Sequence, residues 1–228
     1  MRYLGGKSKI ARALAGVVGK GETLIEPFCG GGAMTAALAP QFVRVEASDT
    51  HEDLILLWKA IQAGWQPPRE ISEQEYARLK LCAPSALRGF AGFAGASWGG
   101  KWFGGYARGG GRNYADEAAR SLARDVEKIS NVTFYHRDYI NIKPQPGDVV
   151  YADPPYAGTT GYGKPFSSEE FWEVMNYWTI LGALVFVSEY KAPDNWACVW
   201  EQERTRDMKA DTKTAVKVTE KLFFKSLW

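Results

Sequence analysis

Thr23–Leu38 reads TLIEPFCGGGAMTAAL, and the order of its residue types decides the fold. The apolar run Thr23–Phe28 has the composition of a buried strand, Gly30-Gly31-Gly32 is a turn in which side chains are absent, and Ala33–Leu38 is a helix former. Strand, glycine turn and helix in that order make the front of a nucleotide-binding βαβ unit. The next apolar run, Phe42–Ala47, gives the second strand and ends on Ser48-Asp49, so an acid stands 19 positions after Gly30. An acid there can accept the two hydroxyls of a ribose. Asp49, or Thr50, can also cap a helix over Leu54–Ile61, and the two roles are compatible. A dinucleotide site would share this pattern, but the GxGxxG spacing fails at its last position, where Thr35 stands, and Glu26-Pro27 is foreign to that fingerprint.

The same logic applies to Val149–Tyr156, VVYADPPY. Val149–Ala152 is a short apolar strand, and Pro154-Pro155 removes two amide donors in succession, so pairing stops there. Asp153 is thereby placed at the carboxyl edge of the sheet, where open α/β folds bind ligands. Pro155 restrains the preceding residue to extended geometry, which sets the Pro154 carbonyl beside the Asp153 carboxylate with the Tyr156 ring close by. Two acceptors beside a flat ring suit an exocyclic amino group on a base; a strand exit with a capping Asp is the plain structural alternative.

With 228 residues and 46% hydrophobic content, the chain can build one α/β domain with an excursion. The remaining elements expected are a helix bearing Ile10, Leu14, Val17 and Val18 on one face, a polar helix over Glu70–Lys80, and a helix over Asp116–Ile129. Strands are expected at Val132–His136 and Ala183–Ser188, a helix around Phe171–Tyr177, and closing antiparallel strands around Val216–Phe224. No run is long enough to span a membrane, and the start MRYLGGKSKIA lacks a secretory apolar core, so a cytoplasmic protein is expected. Cys29, Cys82 and Cys198 are far apart and unmatched in spacing by His51 and His136, which argues against a disulfide framework or a metal site and for buried free thiols.

The formal charge is only +2, yet Tyr76–Ala115 holds Arg78, Lys80, Arg88, Lys101, Arg108 and Arg112 and no acid. A local basic surface on a nearly neutral chain suggests a polyanionic partner. Within it, Gly89–Gly111 packs 10 glycines into 23 residues together with Phe90, Phe93, Trp98, Trp102, Phe103 and Tyr106, a density foreign to a helix interior. The functional reading is a mobile loop that orders on nucleic acid, with Arg88, Lys101, Arg108 and Arg112 as phosphate contacts and Trp102 as a stacking ring. A glycine-rich loop packing its own aromatics is the structural alternative.

Together these residues resemble the Dam-type, D12 class of DNA adenine-N6 methyltransferases over nearly the whole chain. Tyr3-Leu4-Gly5-Gly6-Lys7 is similar to that family's N-terminal cofactor segment, Glu26–Gly32 to its glycine motif for S-adenosylmethionine, and Asp153-Pro154-Pro155-Tyr156 to its catalytic motif. The resemblance implies a Rossmann-like class I S-adenosylmethionine-dependent sheet formed by 1–66 and 131–228, with a small target-recognition insert at 67–130. It implies cofactor contacts from Tyr3, Gly6, Lys7, Glu26, Pro27, Phe28, Gly30, Gly32, Asp49, Asp138, Tyr139 and Asp153, and catalysis by Asp153, Pro154, Pro155 and Tyr156, with no metal. The expected reaction is direct in-line methyl transfer to a flipped-out adenine in double-stranded DNA by a monomer or weak dimer. The insert is most similar to those of compact bacteriophage methylases, which suggests a phage or prophage source and a role alone or beside a restriction enzyme. Cytosine N4, RNA adenine or a protein amide as acceptor, a catalytically silent nucleic-acid-binding homologue, and a nicotinamide oxidoreductase are the competing readings.

Overall fold

The structure is a computed structural model that describes residues 1–109, 111–155, 166–209 and 212–227, without the side chains of 204–217. Seven strands form one sheet: β1 (Gly21–Glu26), β2 (Phe42–Asp49), β3 (Val132–His136), β4 (Val149–Ala152), β5 (Leu184–Glu189), β6 (Ala197–Lys209) and β7 (Thr212–Lys225). Their order is β3-β2-β1-β4-β5-β7-β6. The first five are parallel, while β7 inserts antiparallel between β5 and β6. This is an α/β, Rossmann-like sheet with an antiparallel strand inserted at one end. After β1 the chain builds outward to β2 and β3, then returns to place β4 on the other side of β1, so the order reverses between β1 and β4. Open α/β sheets bind their ligands in the crevice beyond the carboxyl ends of such a pair of strands.

Successive residues of a strand face opposite ways, so each strand feeds two cores. Leu24, Val149, Tyr151, Phe186 and Leu222 face a cluster that includes α1 (Ala11–Val18), α2 (Ala33–Leu38) and α3 (Glu52–Gln62). Ile25, Val150, Val185, Val187 and Phe223 face the other way, onto α7 (Ser168–Ile180). Covered on both faces, the central strands can be continuously apolar, which is why VVYA is legible as a strand.

The chain between α3 and β3 contributes α4 (Glu73–Lys80), α5 (Ala86–Phe90) and α6 (Tyr114–Asp125). Its residues Ile71, Tyr76, Phe90, Phe103 and Leu122 are buried in the same cluster as Leu24 and Val45, so the excursion shares the core of the sheet. Here the structure departs from the expected mobile loop. Gly89 lies within α5, which runs into a π-helical turn over Ala91–Gly95, and Phe90 and Phe93 are fully buried. The glycines serve close approach. A Cβ on Gly89 would lie 2.4 Å from the Asp53 carbonyl oxygen, one on Gly92 2.4 Å from the Trp102 ring, and one on Gly95 2.5 Å from the Phe90 ring. Burying a Phe ring contributes about 1.5–3 kcal/mol, against about 1 kcal/mol for a glycine within a helix, so packing outweighs propensity.

The cysteines also differ from expectation. All three are unpaired, but only Cys29 is buried; Cys198 is exposed, because it lies on the edge strand β6. Among the described residues, no helix is long and apolar enough to cross a membrane, and no cluster of His, Cys, Asp and Glu could hold a metal.

Two alanine substitutions separate close packing from helix propensity. Gly89→Ala, forced against a backbone carbonyl, should lose about 1–3 kcal/mol in urea unfolding. Gly16→Ala in α1, where a Cβ meets nothing within 4 Å, should gain about 0.5–1 kcal/mol.

Candidate active site

The glycine turn after β1 is held from three sides. Gly30 donates its amide to Asp49 Oδ2 at 2.9 Å, and the Trp58 indole donates to the Gly30 carbonyl at 3.0 Å. A Cβ on Gly31 would lie 2.5 Å from Tyr3 Cβ, and one on Gly32 2.3 Å from Trp58 Cζ2; Gly30 and Gly32 also have φ of +44° and +68°, which disfavours any other residue. Tyr3 packs on this turn, 5.3 Å from the Phe93 ring, and the next residue, Leu4, donates its amide to the Gly100 carbonyl. The N-terminal segment is thus clamped between the glycine turn and the excursion.

Asp49 ties the glycine turn to the residue that precedes α3. Its Oδ1 accepts from the His51 amide at 2.9 Å, at the start of α3, while Oδ2 holds Gly30. Burial pushes its pKa up.

Glu26 ends β1 at 1% exposure, and its Oε2 has no hydrogen-bond partner among the described residues. Burial, reinforced by the charges of Asp153 and Asp49, pushes its carboxyl up to about 8. Three acids therefore converge on the crevice. Its buried cation is Lys7, whose Nζ lies 2.9 Å from Asp153 Oδ1 and 3.5 Å from Glu220 Oε2. Lys7 is 4% exposed, and an ammonium so buried costs several kcal/mol unless paired. Lys7, expected from sequence at the cofactor, is thus joined to Asp153. Glu220 escaped sequence reasoning. The signal was present, since in the alternation Val218-Glu220-Leu222 a charge occupies the face that Leu222 buries.

Across the same edge, Tyr139 meets Phe28 with ring centres 5.1 Å apart, and Phe166 and Phe171 complete an aromatic cluster. Asp138 caps the following turn through Ile140. Pro27 and Pro154 are buried, Gly6 is exposed in a turn closed onto the Tyr3 carbonyl, and Tyr156 lies outside the described residues.

The excursion's cations divide into two groups. Arg88 turns inward: its Nη1 pairs with buried Asp53 at 2.7 Å, and its guanidinium lies 4.9 Å from the Trp102 ring. Trp102 in turn packs on His51 and Phe93. His51, whose pKa burial lowers to about 4, is a neutral ring in that cluster. Lys101, Arg108 and Arg112 are exposed, with Arg108 paired to Glu73 and Arg112 to Glu117.

Residues 3–81 match the family model of D12 class N6 adenine-specific DNA methyltransferase. That span carries the N-terminal turn, the glycine motif and Asp49. No curated protein sequence matches the chain. Among solved structures it is similar to the N-methyltransferase NodS of Bradyrhizobium japonicum WM9, at 9% identity and a TM-score of 0.45, covering 96% of this chain and 94% of that one. It is similar also to the 23S rRNA methyltransferase ErmE, at 12% identity and 0.45, covering 98% and 70%. An rRNA methylase of Streptococcus thermophilus aligns at 11% identity and 0.40, covering 96% and 95%.

The residues present fit the cofactor. An orphaned buried carboxylate oxygen on Glu26, with Asp49 and Asp153 nearby, favours a ligand that brings positive charge, as a sulfonium with an α-ammonium does.

The raised Glu26 carboxyl gives a pH signature. From the ordinary carboxylate pKa to about 8, the folded state binds more protons than the unfolded one, so stability of the ligand-free protein falls as pH rises, by up to about 1.4 kcal/mol per pH unit from this group. Glu26→Gln should flatten that slope and be the more stable form at pH 8, as read by urea midpoints across pH 5–8.

Proposed function

We propose that the protein is a DNA adenine-N6 methyltransferase, and that Asp153 is the residue that accepts hydrogen bonds from the target amino group. The observation that carries this reading is the placement of Asp153. It follows β4 at the switch-point crevice, is fixed by the buried Lys7 ammonium, and stands beside Glu26 and the glycine turn. That turn lies within the span matched by the adenine-methylase model.

The amino nitrogen of adenine is a poor nucleophile because its lone pair is delocalised into the ring. Asp153 and the carbonyl of Pro154 accept its two hydrogens, which favours a tetrahedral nitrogen with the lone pair turned outward. Held at the glycine turn, S-adenosylmethionine would supply the methyl group to that lone pair and leave as the neutral thioether S-adenosylhomocysteine, while the methylated nitrogen would give up one proton on the Asp153 side. Nothing on the enzyme need act as a nucleophile: Cys29, beside the glycine turn, is buried with its thiol pushed well above its ordinary pKa. The ring-constrained geometry of Pro154-Pro155 keeps the acceptor carbonyl from rotating away.

In a duplex the amino group is paired and stacked, so the base must be extruded to reach the crevice. Tyr156 is the stacking ring assigned by sequence, and stacking is worth ~1–3 kcal/mol per base, comparable with the cost of unstacking. Residues 67–130 act as the target-recognition region. Its exposed face offers Lys101 with Trp98, together with Arg108 and Arg112. The ion pairs of those two arginines are exposed to solvent and weak, so either can exchange its carboxylate for a phosphate. Arg88, tied to Asp53, supports that face from beneath.

Nucleoside mass spectrometry of unmethylated DNA treated with the protein and cofactor should show N6-methyladenine; N4-methylcytosine instead, or methylation of RNA only, would overturn the assignment. Asp153→Ala should lower turnover by ~10²–10³ with cofactor binding retained. A variant keeping more than about a tenth of wild-type turnover would contradict the acceptor role.

The cations should separate by position. Lys101→Ala and Arg108→Ala should weaken binding to all DNA sequences alike and reduce the salt slope by about one each. Arg88→Ala should instead lose ~3–5 kcal/mol of stability in urea unfolding, less whatever solvent reaches the partly exposed guanidinium, because Asp53 is left as a buried unpaired charge.

A further inference from the structure

We propose that Glu220 is a positioning residue for Asp153, acting through the Lys7 ammonium. The inference rests on the reading of Asp153 as the amino-group acceptor. Three chain segments meet at Lys7 Nζ: the N-terminal turn that carries it, the exit of β4 that carries Asp153 at 2.9 Å, and β7, which carries Glu220 at 3.5 Å. Lys7 and Glu220 are 4% and 6% exposed, so their interaction is little screened by solvent.

Lys7 and Glu220 are each anchored by backbone. The Lys7 carbonyl accepts from the Ile10 and Ala11 amides at 2.8 Å, which ties it to the start of α1. Glu220 is held in register opposite Gln202 on β6, and two residues on, Leu222 is opposite Ser188 of β5. The strand therefore fixes where Glu220 stands, and Glu220 fixes where the flexible lysine stem ends.

Two carboxylates share one ammonium, and this has a consequence for the acceptor. A lone Lys7–Asp153 pair would place the whole cationic charge on Asp153 and drain its strength as a hydrogen-bond acceptor. With Glu220 taking part of that charge, the trio carries a net negative charge. Asp153 is then oriented by Lys7 while remaining a charged acceptor, the stronger kind for an amino hydrogen. The role is one of orientation and charge: Glu220 touches Lys7, and Lys7 touches the acceptor.

The test compares Glu220→Gln and Glu220→Asp with wild type in steady-state methylation of adenine-containing duplex DNA. Glu220→Gln should lower kcat about tenfold or more, within the ~10²–10³ ceiling for loss of a whole electrostatic partner, with KM for S-adenosylmethionine and for DNA within about twofold. Glu220→Asp, which restores the charge, should recover part of the loss. An unchanged kcat in Glu220→Gln, or a loss confined to the cofactor KM, would overturn the proposal.

A second measurement needs no activity. In urea unfolding without cofactor, the shifts of Asp153→Asn and Glu220→Gln should be non-additive in the double variant, because both act on one ammonium. Additive shifts would equally overturn the coupling. Wild-type protein that transfers no methyl group to adenine would sink the reading of Asp153 itself, a failure distinct from additivity in the unfolding cycle.

Discussion

The glycine turn after β1 is the constraint on which the rest of the molecule depends. Gly30–Gly32 has no room for side chains because the Tyr3 and Trp58 rings press against it, and those rings carry with them the N-terminal segment and α3. Asp49 ties the same turn to the end of β2. A single stretch of backbone thus gathers the first strand, the second strand, the third helix and the chain's beginning. The N-terminal segment, once clamped, delivers Lys7 to Asp153. Packing at a bare backbone and pairing of charges in the crevice are therefore two ends of one structure.

The crevice is held in an uneasy electrostatic state. Glu26, Asp49 and Asp153 converge where the sheet order reverses, and burial disfavours charge on the first two. Lys7 compensates, shared between Asp153 and Glu220. Such an arrangement costs stability in the ligand-free protein and is relieved by a ligand that brings positive charge, which is the character of S-adenosylmethionine. Buried ion pairs seldom stabilise more than a well-packed apolar core would, so their presence here is better explained by chemistry than by folding.

The excursion shows how one composition can serve packing and recognition together. Its stretch Gly89–Gly95 is buried helix in which glycines admit the Trp102 and Phe90 rings. Beyond it, Trp98 and Gly99 stand exposed in a turn braced beneath by Tyr76 and Ser97, with Ser97 accepting from the Gly104 amide and Tyr76 from that of Gly105. Arg88, counted from sequence among outward cations, holds this packing from inside through Asp53 and Trp102.

Order of elements, the glycine turn, the Asp49 position and the strand exit at Asp153 could all be read from sequence, because each depends on residues near one another along the chain: apolar runs, turn residues and a fixed offset within one βαβ unit. Element ends moved by a few residues, as with β1, expected at Thr23–Phe28 and found at Gly21–Glu26. What sequence alone left open was decided by contacts between distant segments. Glycine density in 89–95 reads as disorder until the partner rings are known, and Arg88 reads as a surface cation until Asp53 is seen to face it. Lys7 and Glu220 come from opposite ends of the chain to one carboxylate, a meeting that no local pattern encodes. The sequence determined the sheet and the place of its crevice; the tertiary structure decided which charges meet there, because burial and pairing are properties of neighbours in space.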